Sequence, residues 1–159
     1  MKSALSDSVR EFIDQNRRSV LTTFRSSGAG QMSVVNVGVY VEGIAFTACD
    51  FRAKVVNLRR DPRCTILVSR DDWSDYVVLE GRARISSRDD TDAERLRLGL
   101  REVERSIYGR EHPDWEAYDD EMRRDRYAIV VVTPEHYYGW ASGEVRSERY
   151  YVDGDGAGA

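Results

Sequence analysis

The residues best suited to chemistry lie in segment 46–63, where a predicted strand passes through a short turn into a short predicted helix. Arg52 and Lys54 fall at the start of that helix, where unpaired backbone N–H groups and the helix dipole favour an anion. A guanidinium can hold a phosphate through two N–H groups, and an ammonium adds a compact charge. The hydroxyl of Thr47, at the end of the preceding strand, is a further candidate donor. The pattern predicts a phosphate site.

An ordinary structural role is the alternative, because arginines near a helix usually form surface salt bridges worth about 0–1 kcal/mol each. Arg59 and Arg60 lie at the predicted C-terminus of the helix, where positive charge suits the dipole. For these two and for Arg63 we favour the structural role. For Arg52 and Lys54 both roles stay open at this point.

The length and the net charge limit how many domains the chain can form and which partners it can attract. The chain has 159 residues, enough for one domain with its own core, which we assign to residues 1–146. Residues 147–159 are small and polar, and we predict a disordered tail there. The net charge of −4 gives no general attraction to nucleic acid or anionic lipid.

Three further features set expectations about location and about metal or thiol chemistry. No apolar run approaches the roughly 20 residues of a membrane span, and segment 1–10 has no signal-peptide pattern. We therefore expect a cytoplasmic protein with neither membrane nor nucleic acid as a partner. Cys49 and Cys64 form no CxxC motif and are predicted to be buried free thiols. The two histidines are too isolated to indicate a metal centre.

The elements around the candidate site are mostly short strands. Predicted strands cover residues 19–24, 31–41, 44–49, 64–69, 76–85, 127–133 and 137–140, with turns at 26–30 and 42–43. Predicted helices cover residues 8–16, 53–60, 91–108 and 115–124. Capping boxes are predicted at Ser8 with Glu11 and at Thr91 with Glu94, and Gly109 ends the third helix. Six or seven strands joined largely by hairpins indicate an antiparallel sheet.

Four stretches of the chain together resemble a known family. They are residues 52–63, 71–83, 111–118 and 133–139, including Arg52-Ala53-Lys54 and Asn57-Leu58-Arg59-Arg60-Asp61-Pro62-Arg63. They resemble the signature of the pyridoxamine 5′-phosphate oxidase-like split-barrel family, and within it the branch that uses the deazaflavin coenzyme F420. The resemblance covers roughly residues 5 to 140.

The resemblance implies a mostly β fold with peripheral helices: a six-stranded antiparallel split β-barrel that forms a homodimer, with the cofactor between subunits. It implies phosphate contacts from Arg52 and Lys54 with Asn57 nearby. It also implies that the strands at Ser33 to Asn36 and at Phe46 to Ala48 flank the cofactor ring through their backbone groups. Trp73 and Tyr76 would reach across from the partner subunit. Alternatively, Trp73 is a loop aromatic that covers the barrel, and Tyr76 packs in the core or the dimer seam. The predicted cofactor-binding residues are therefore Thr47, Arg52, Lys54, Ala48, Asn57, Ser33, Asn36, Trp73 and Tyr76.

The function implied by the resemblance is hydride transfer from reduced F420 to an electron-poor small molecule such as an enone or a quinone. FMN is the alternative cofactor, since its single phosphate suits the same site, and a non-catalytic cofactor carrier is the alternative class of protein. The C-terminal segment lacks the Arg-x-His pair by which vitamin-forming oxidases hold their substrate, so we do not expect the pyridoxamine phosphate reaction. The sequence assigns no catalytic residue.

Overall fold

The computed structural model describes residues 5–41 and 43–140, which form one curled antiparallel sheet with four helices around it. The helices are α1 (Asp7–Gln15), α2 (Ala53–Arg60), α3 (Ala93–Tyr108) and α4 (Trp115–Arg124). The strands are β1 (Arg18–Phe24), β2 (Gly30–Asn36), β3 (Gly38–Tyr40), β4 (Gly43–Cys49), β5 (Arg63–Ser69), β6 (Tyr76–Ser86) and β7 (Tyr127–Trp140). Their order in the sheet is β2-β1-β5-β6-β7-β4-β3.

The main core lies inside the curl of this sheet. Inward-facing side chains from every strand meet there, and Phe46 is the largest that is fully buried. Helix α1 closes the core with Val9, Phe12 and Ile13, which share one helical face. A second core lies on the opposite face of β4 and β7, under α3 and α4. The split-barrel class predicted from the sequence is confirmed, and the sheet has seven strands, within the six or seven that the residue pattern indicated and one more than the family resemblance implied.

The seven strands equal the number predicted from the residues, but three of the predicted strands have other limits. The predicted strand 31–41 is two strands, β2 and β3, separated at Val37, whose N–H donates to the Arg17 carbonyl at 2.8 Å. Conversely, the predicted strands 127–133 and 137–140 are one strand, β7, that continues through Pro134. A register shift between Glu80 and Gly81 leaves Glu135 unpaired, directly after Pro134, which pairs with Gly81 and has no N–H to donate.

The predicted limits of α2 and α4 are confirmed, but both predicted capping boxes are wrong. The N-cap of α1 is Ser6, whose hydroxyl accepts the Val9 N–H at 3.4 Å. The N-cap of α3 is Asp92, not Thr91, because the Asp92 carboxylate accepts the Arg95 N–H at 3.0 Å. Gly109 ends α3 as predicted, at a φ of 64° that suits glycine.

Two sequence predictions lie outside the described residues: the disordered tail 147–159 and the Glu42 half of the turn at 42–43. In the part of the chain that the structure describes, no helix is long and apolar enough to cross a membrane.

Candidate cofactor site

The start of helix α2 carries two positive side chains with no counter-ion. Within residues 5–41 and 43–140, no carboxylate lies within 4.0 Å of the Arg52 guanidinium or the Lys54 ammonium. Arg52 is the N-cap and its side chain makes no capping hydrogen bond. Burial lowers the pKa of half-buried Lys54, and the charge of Arg52 lowers that pKa further. A bound anion would relieve this repulsion and complement the helix dipole, so these residues fit a phosphate.

The remaining arginines of segment 46–63 make contacts within the chain. Arg59 donates to the Asp50 carbonyl at 2.9 Å, and Arg63 binds both carboxylate oxygens of Asp61 at 2.7–3.2 Å. These contacts confirm the structural role predicted for Arg59 and Arg63. Arg60 donates to the Phe24 carbonyl and keeps its charge without a carboxylate among the described residues.

Asn57 ties α2 to the β1–β2 hairpin. Its buried amide nitrogen donates to Thr23 Oγ1 and to Gln31 Oε1, both at 3.1 Å. Its amide oxygen accepts a hydrogen bond from Arg60 at 3.2 Å. With these three hydrogen bonds made inside the chain, we expect Asn57 to act by positioning α2 and not by direct contact with a phosphate.

Replacing Asn57 by alanine is expected to lower the free energy of unfolding by about 1–3 kcal/mol, because it leaves the fully buried Thr23 hydroxyl without its hydrogen-bond donor. Urea unfolding measures this, with Val56→Ala on the exposed side of the same helix as the control. A variant with unchanged stability but greatly reduced cofactor affinity would show instead that Asn57 contacts the ligand directly.

Thr47 and Ala48 precede the turn into α2 and face opposite sides of β4. Ala48 faces the main core inside the curl. Thr47 shares the face of Ala45, which packs in the second core. The Thr47 hydroxyl and the Ala48 methyl group therefore do not point into the same space, and only their backbone groups are near one another.

Ser33 and Asn36 also lie on opposite faces, since they are three residues apart on the regular strand β2. Ser33 is paired with Leu21 on the inner face. The Asn36 amide donates to Tyr108 Oη at 3.3 Å at the edge of an open polar hollow of about 540 Å³. A single ring could therefore meet both residues only through the backbone of β2.

Trp73 lies at the tip of a tightly held loop. Its side chain is 64% exposed and its φ is 62°, a conformation that is unfavourable for a bulky residue. Arg70 and Asp75 close the loop through a backbone hydrogen bond of 3.0 Å and a salt bridge of 2.8 Å. Tyr76 follows at the start of β6, paired with Ser69. The loop therefore projects the indole ring of Trp73 into the solvent.

Six of the nine predicted residues fall into two groups at opposite ends of the β1–β2 hairpin. Arg52, Lys54 and Asn57 lie at the turn end, where α2 contacts Thr23 and Gln31. The other group, Asn36, Trp73 and Tyr76, lies at the end where β1 begins, since Arg18 pairs with Asn36 and lines a cleft with Trp73 and Ser69. The six steps of β1 between these ends span about 20 Å.

The outer face of the sheet between these ends is apolar, and the sequence analysis did not single it out. Met32 and Val34 on β2 are 72% and 68% exposed, beside half-buried Val20 and Leu67. The signal was the pair of apolar residues at alternate positions of β2, Met32 and Val34, on the face opposite Val35. Exposed apolar patches of this kind mark binding surfaces.

Both cysteines are free and buried, as predicted. Burial raises the pKa of the Cys64 thiol to about 12, so that it stays protonated at neutral pH. Among residues 5–41 and 43–140, no three side chains of the metal-ligating types lie together.

A family model described as pyridoxamine 5′-phosphate oxidase matches residues 5–141, and the chain belongs to this family. The match takes in the whole sheet and all four helices.

Similar solved structures include a conserved hypothetical protein of Mycobacterium tuberculosis, 23% identical over 87% of this chain and 86% of that chain, with a TM-score of 0.68. An F420 reductase is 18% identical, covering 84% of this chain and 98% of that one at a TM-score of 0.61. The heme storage protein HutZ of Vibrio cholerae is 15% identical, over 86% and 94%, at a TM-score of 0.62. At these identities the likeness establishes the shared fold.

Proposed function

We propose that this protein is an oxidoreductase that binds coenzyme F420 at the start of α2. The observation that carries the proposal is the pair of cations, Arg52 and Lys54, without a counter-ion among the described residues at a helix N-terminus. When bound, the deazaflavin supplies hydride transfer from C5 to an electron-poor small molecule, such as an enone or a quinone. The protein binds the anionic tail and leaves one ring face open.

A homodimer would complete the site. In one chain, the cation pair and Trp73 lie at ends of the hairpin separated by about 20 Å. A two-fold axis through the outer face of β1 and β2 would pair the two hairpins in opposite directions. The turn end of one hairpin would then lie beside the end of the partner's hairpin where β1 begins. It would also cover Met32 and Val34, which are exposed in the single chain. We therefore propose that the phosphate binds one subunit and the ring meets Trp73 and Tyr76 of the other.

Titration of the pure protein with F420 and with FMN, followed by fluorescence quenching, tests the choice of cofactor. We expect tight binding of F420 and weaker binding of FMN, because F420 carries carboxylates beyond its phosphate and the chain offers further arginines near α2. Tight FMN binding without F420 binding would make the protein an FMN-dependent member of the same family.

A non-catalytic carrier of the cofactor is the second candidate function, and the structural similarity to a heme storage protein supports it. Carrier and enzyme are distinguished by turnover with reduced F420 and a panel of enones and quinones. Oxidation of the cofactor that depends on the acceptor is expected for an enzyme. Tight binding with no turnover of any acceptor would support the carrier.

The affinity for the cofactor is expected to fall as the pH rises through the pKa of Lys54 in the free protein. That pKa lies below its ordinary value of 10.5, and a neighbouring phosphate would raise it. Binding therefore takes up a proton at pH values between the lowered pKa of the free protein and the raised pKa of the complex, and the affinity falls as the ammonium is lost. The dissociation constant of the wild type, measured between pH 7 and 10, is compared with that of Lys54→Arg, whose guanidinium does not titrate there. Parallel pH profiles for the two proteins would contradict a phosphate contact from Lys54.

A further inference from the structure

We propose a second ligand site, for a small aromatic carboxylate, in the pocket between α3, α4 and the start of β7. The pocket has a volume of about 510 Å³, within the range of small-molecule sites. It lies beside the second core, on the face of the sheet opposite the main core. All nine residues predicted to bind the cofactor are in the described part of the chain, and none of them lines this pocket. The pocket is therefore separate from the candidate cofactor site.

The apolar part of the pocket lining suits an aromatic ring. Leu96 and Leu100 of α3 and Met122 of α4 are buried residues of the second core that also line the pocket. Tyr127, at the start of β7, packs against the same core and completes the apolar lining. A methionine thioether and a tyrosine ring both make favourable contacts with an aromatic group. The buried side of the pocket can therefore hold the ring of a ligand.

The three carboxylates that line the pocket already accept hydrogen bonds from the chain. Asp92 is the N-cap of α3 and accepts the Arg95 N–H at 3.0 Å. Arg97 donates to Glu94 at 2.8 Å and to Asp119 at 3.0 Å. The hydrogen bonds from Arg97 lower the pKa of Glu94, so this carboxylate stays charged and paired at neutral pH. A cationic ligand would have to displace one of these partners.

One arginine of the pocket lining has no counter-ion. Three of the four lining arginines are paired with carboxylates: Arg97, Arg123 and Arg126. The fourth, Arg88, is exposed, and across residues 5–41 and 43–140 no carboxylate lies within 4.0 Å of its guanidinium. A guanidinium can bind a carboxylate through two N–H groups. Arg88 is therefore the group that would hold the anionic end of a ligand.

An aromatic molecule with a single carboxylate matches this combination of groups best. Its ring would lie on the buried apolar lining, and its carboxylate would bind Arg88 at the exposed margin. A second anionic group on the ligand would be repelled by the carboxylates of Glu94 and Asp119. A neutral ligand would gain nothing from the charge of Arg88. The class of ligand is thus a small aromatic monocarboxylate.

Isothermal titration calorimetry with 2-naphthoate and its neutral analogue 2-naphthamide tests the site. The wild type is expected to bind naphthoate with a dissociation constant of about 1 mM or lower, and about three- to tenfold more tightly than the amide. Arg88→Gln should weaken naphthoate binding by about the same three- to tenfold and leave naphthamide binding unchanged. Arg95→Gln removes an exposed charge of α3 outside the pocket lining and should change neither affinity.

Three further variants locate the bound probe. Ala93 is an exposed residue of the lining, so Ala93→Phe should fill the pocket without disturbing the core and abolish the binding of both probes. Lys54→Ala removes a cation of the candidate cofactor site, and Val34→Asp places a charge on the apolar outer face of β2. Both variants should bind naphthoate as the wild type does.

Several results would overturn the pocket as a carboxylate site. They are failure of the wild type to bind naphthoate, equal losses for both probes or no loss in Arg88→Gln, and unchanged binding in Ala93→Phe. Loss of naphthoate binding in Lys54→Ala or Val34→Asp would overturn it as well, because the probe would then occupy another surface. The titrations contain no F420, so each of these results leaves the proposed function to its own test.

Discussion

Lys54→Ala is expected to weaken the binding of F420 by about 10- to 150-fold, equivalent to the roughly 1.5–3 kcal/mol of a hydrogen bond to a charged group. Lys54 is half-buried and repelled by Arg52, and no described carboxylate compensates its charge. Removing it therefore removes an interaction made only with the ligand. FMN affinity should fall by a similar factor, since the phosphate is common to both cofactors.

Two further variants serve as controls for the Lys54→Ala result. Lys54→Arg keeps the charge and should retain most of the affinity at neutral pH. Arg95→Ala removes an exposed charge from α3 and should leave the affinity near the wild-type value. If Lys54→Ala binds as the wild type does, Lys54 is not part of the site.

Val34→Asp is expected to abolish the homodimer and the binding of F420 together. The Val34 side chain is 68% exposed in the single chain, so aspartate there should not prevent folding. In the proposed dimer the same carboxylate would be buried among apolar side chains, which we expect to raise the dimer dissociation constant by at least about 100-fold. Analytical ultracentrifugation measures the first effect, and cofactor titration measures the second.

The control for Val34→Asp is Leu98→Asp on α3, which introduces the same charge at another exposed apolar residue. It should remain dimeric and bind F420 normally. A monomeric Val34→Asp protein that still binds F420 with wild-type affinity would show that one subunit suffices, and a dimeric one would place the interface elsewhere.

Local signals in the sequence predicted several elements closely. The limits of α2 follow from the strand before it and from Asp61-Pro62, because the residue before proline avoids helical backbone angles. Gly109 ends α3 because glycine readily adopts positive φ. The capping boxes failed because nearby polar residues, Ser6 and Asp92, compete for the same role and the sequence pattern does not rank them.

The arrangement of the site could be predicted only in part. The cation pair is local to one turn and so follows from the sequence. The opposite faces of Ser33 and Asn36 depend on strand β2 staying regular, and the distance between Trp73 and α2 depends on the whole curl of the sheet. The apolar outer face is a tertiary property, because both faces of β2 carry apolar residues and the pattern alone does not say which one the chain covers.

A crystal structure of the protein grown with F420 tests the central claim most directly. We expect the phosphate to lie within hydrogen-bond distance of the Lys54 ammonium and the Arg52 guanidinium, with the ring beside Trp73 of the partner subunit. A cofactor bound with its phosphate elsewhere, and with both cations left in solvent, would contradict it.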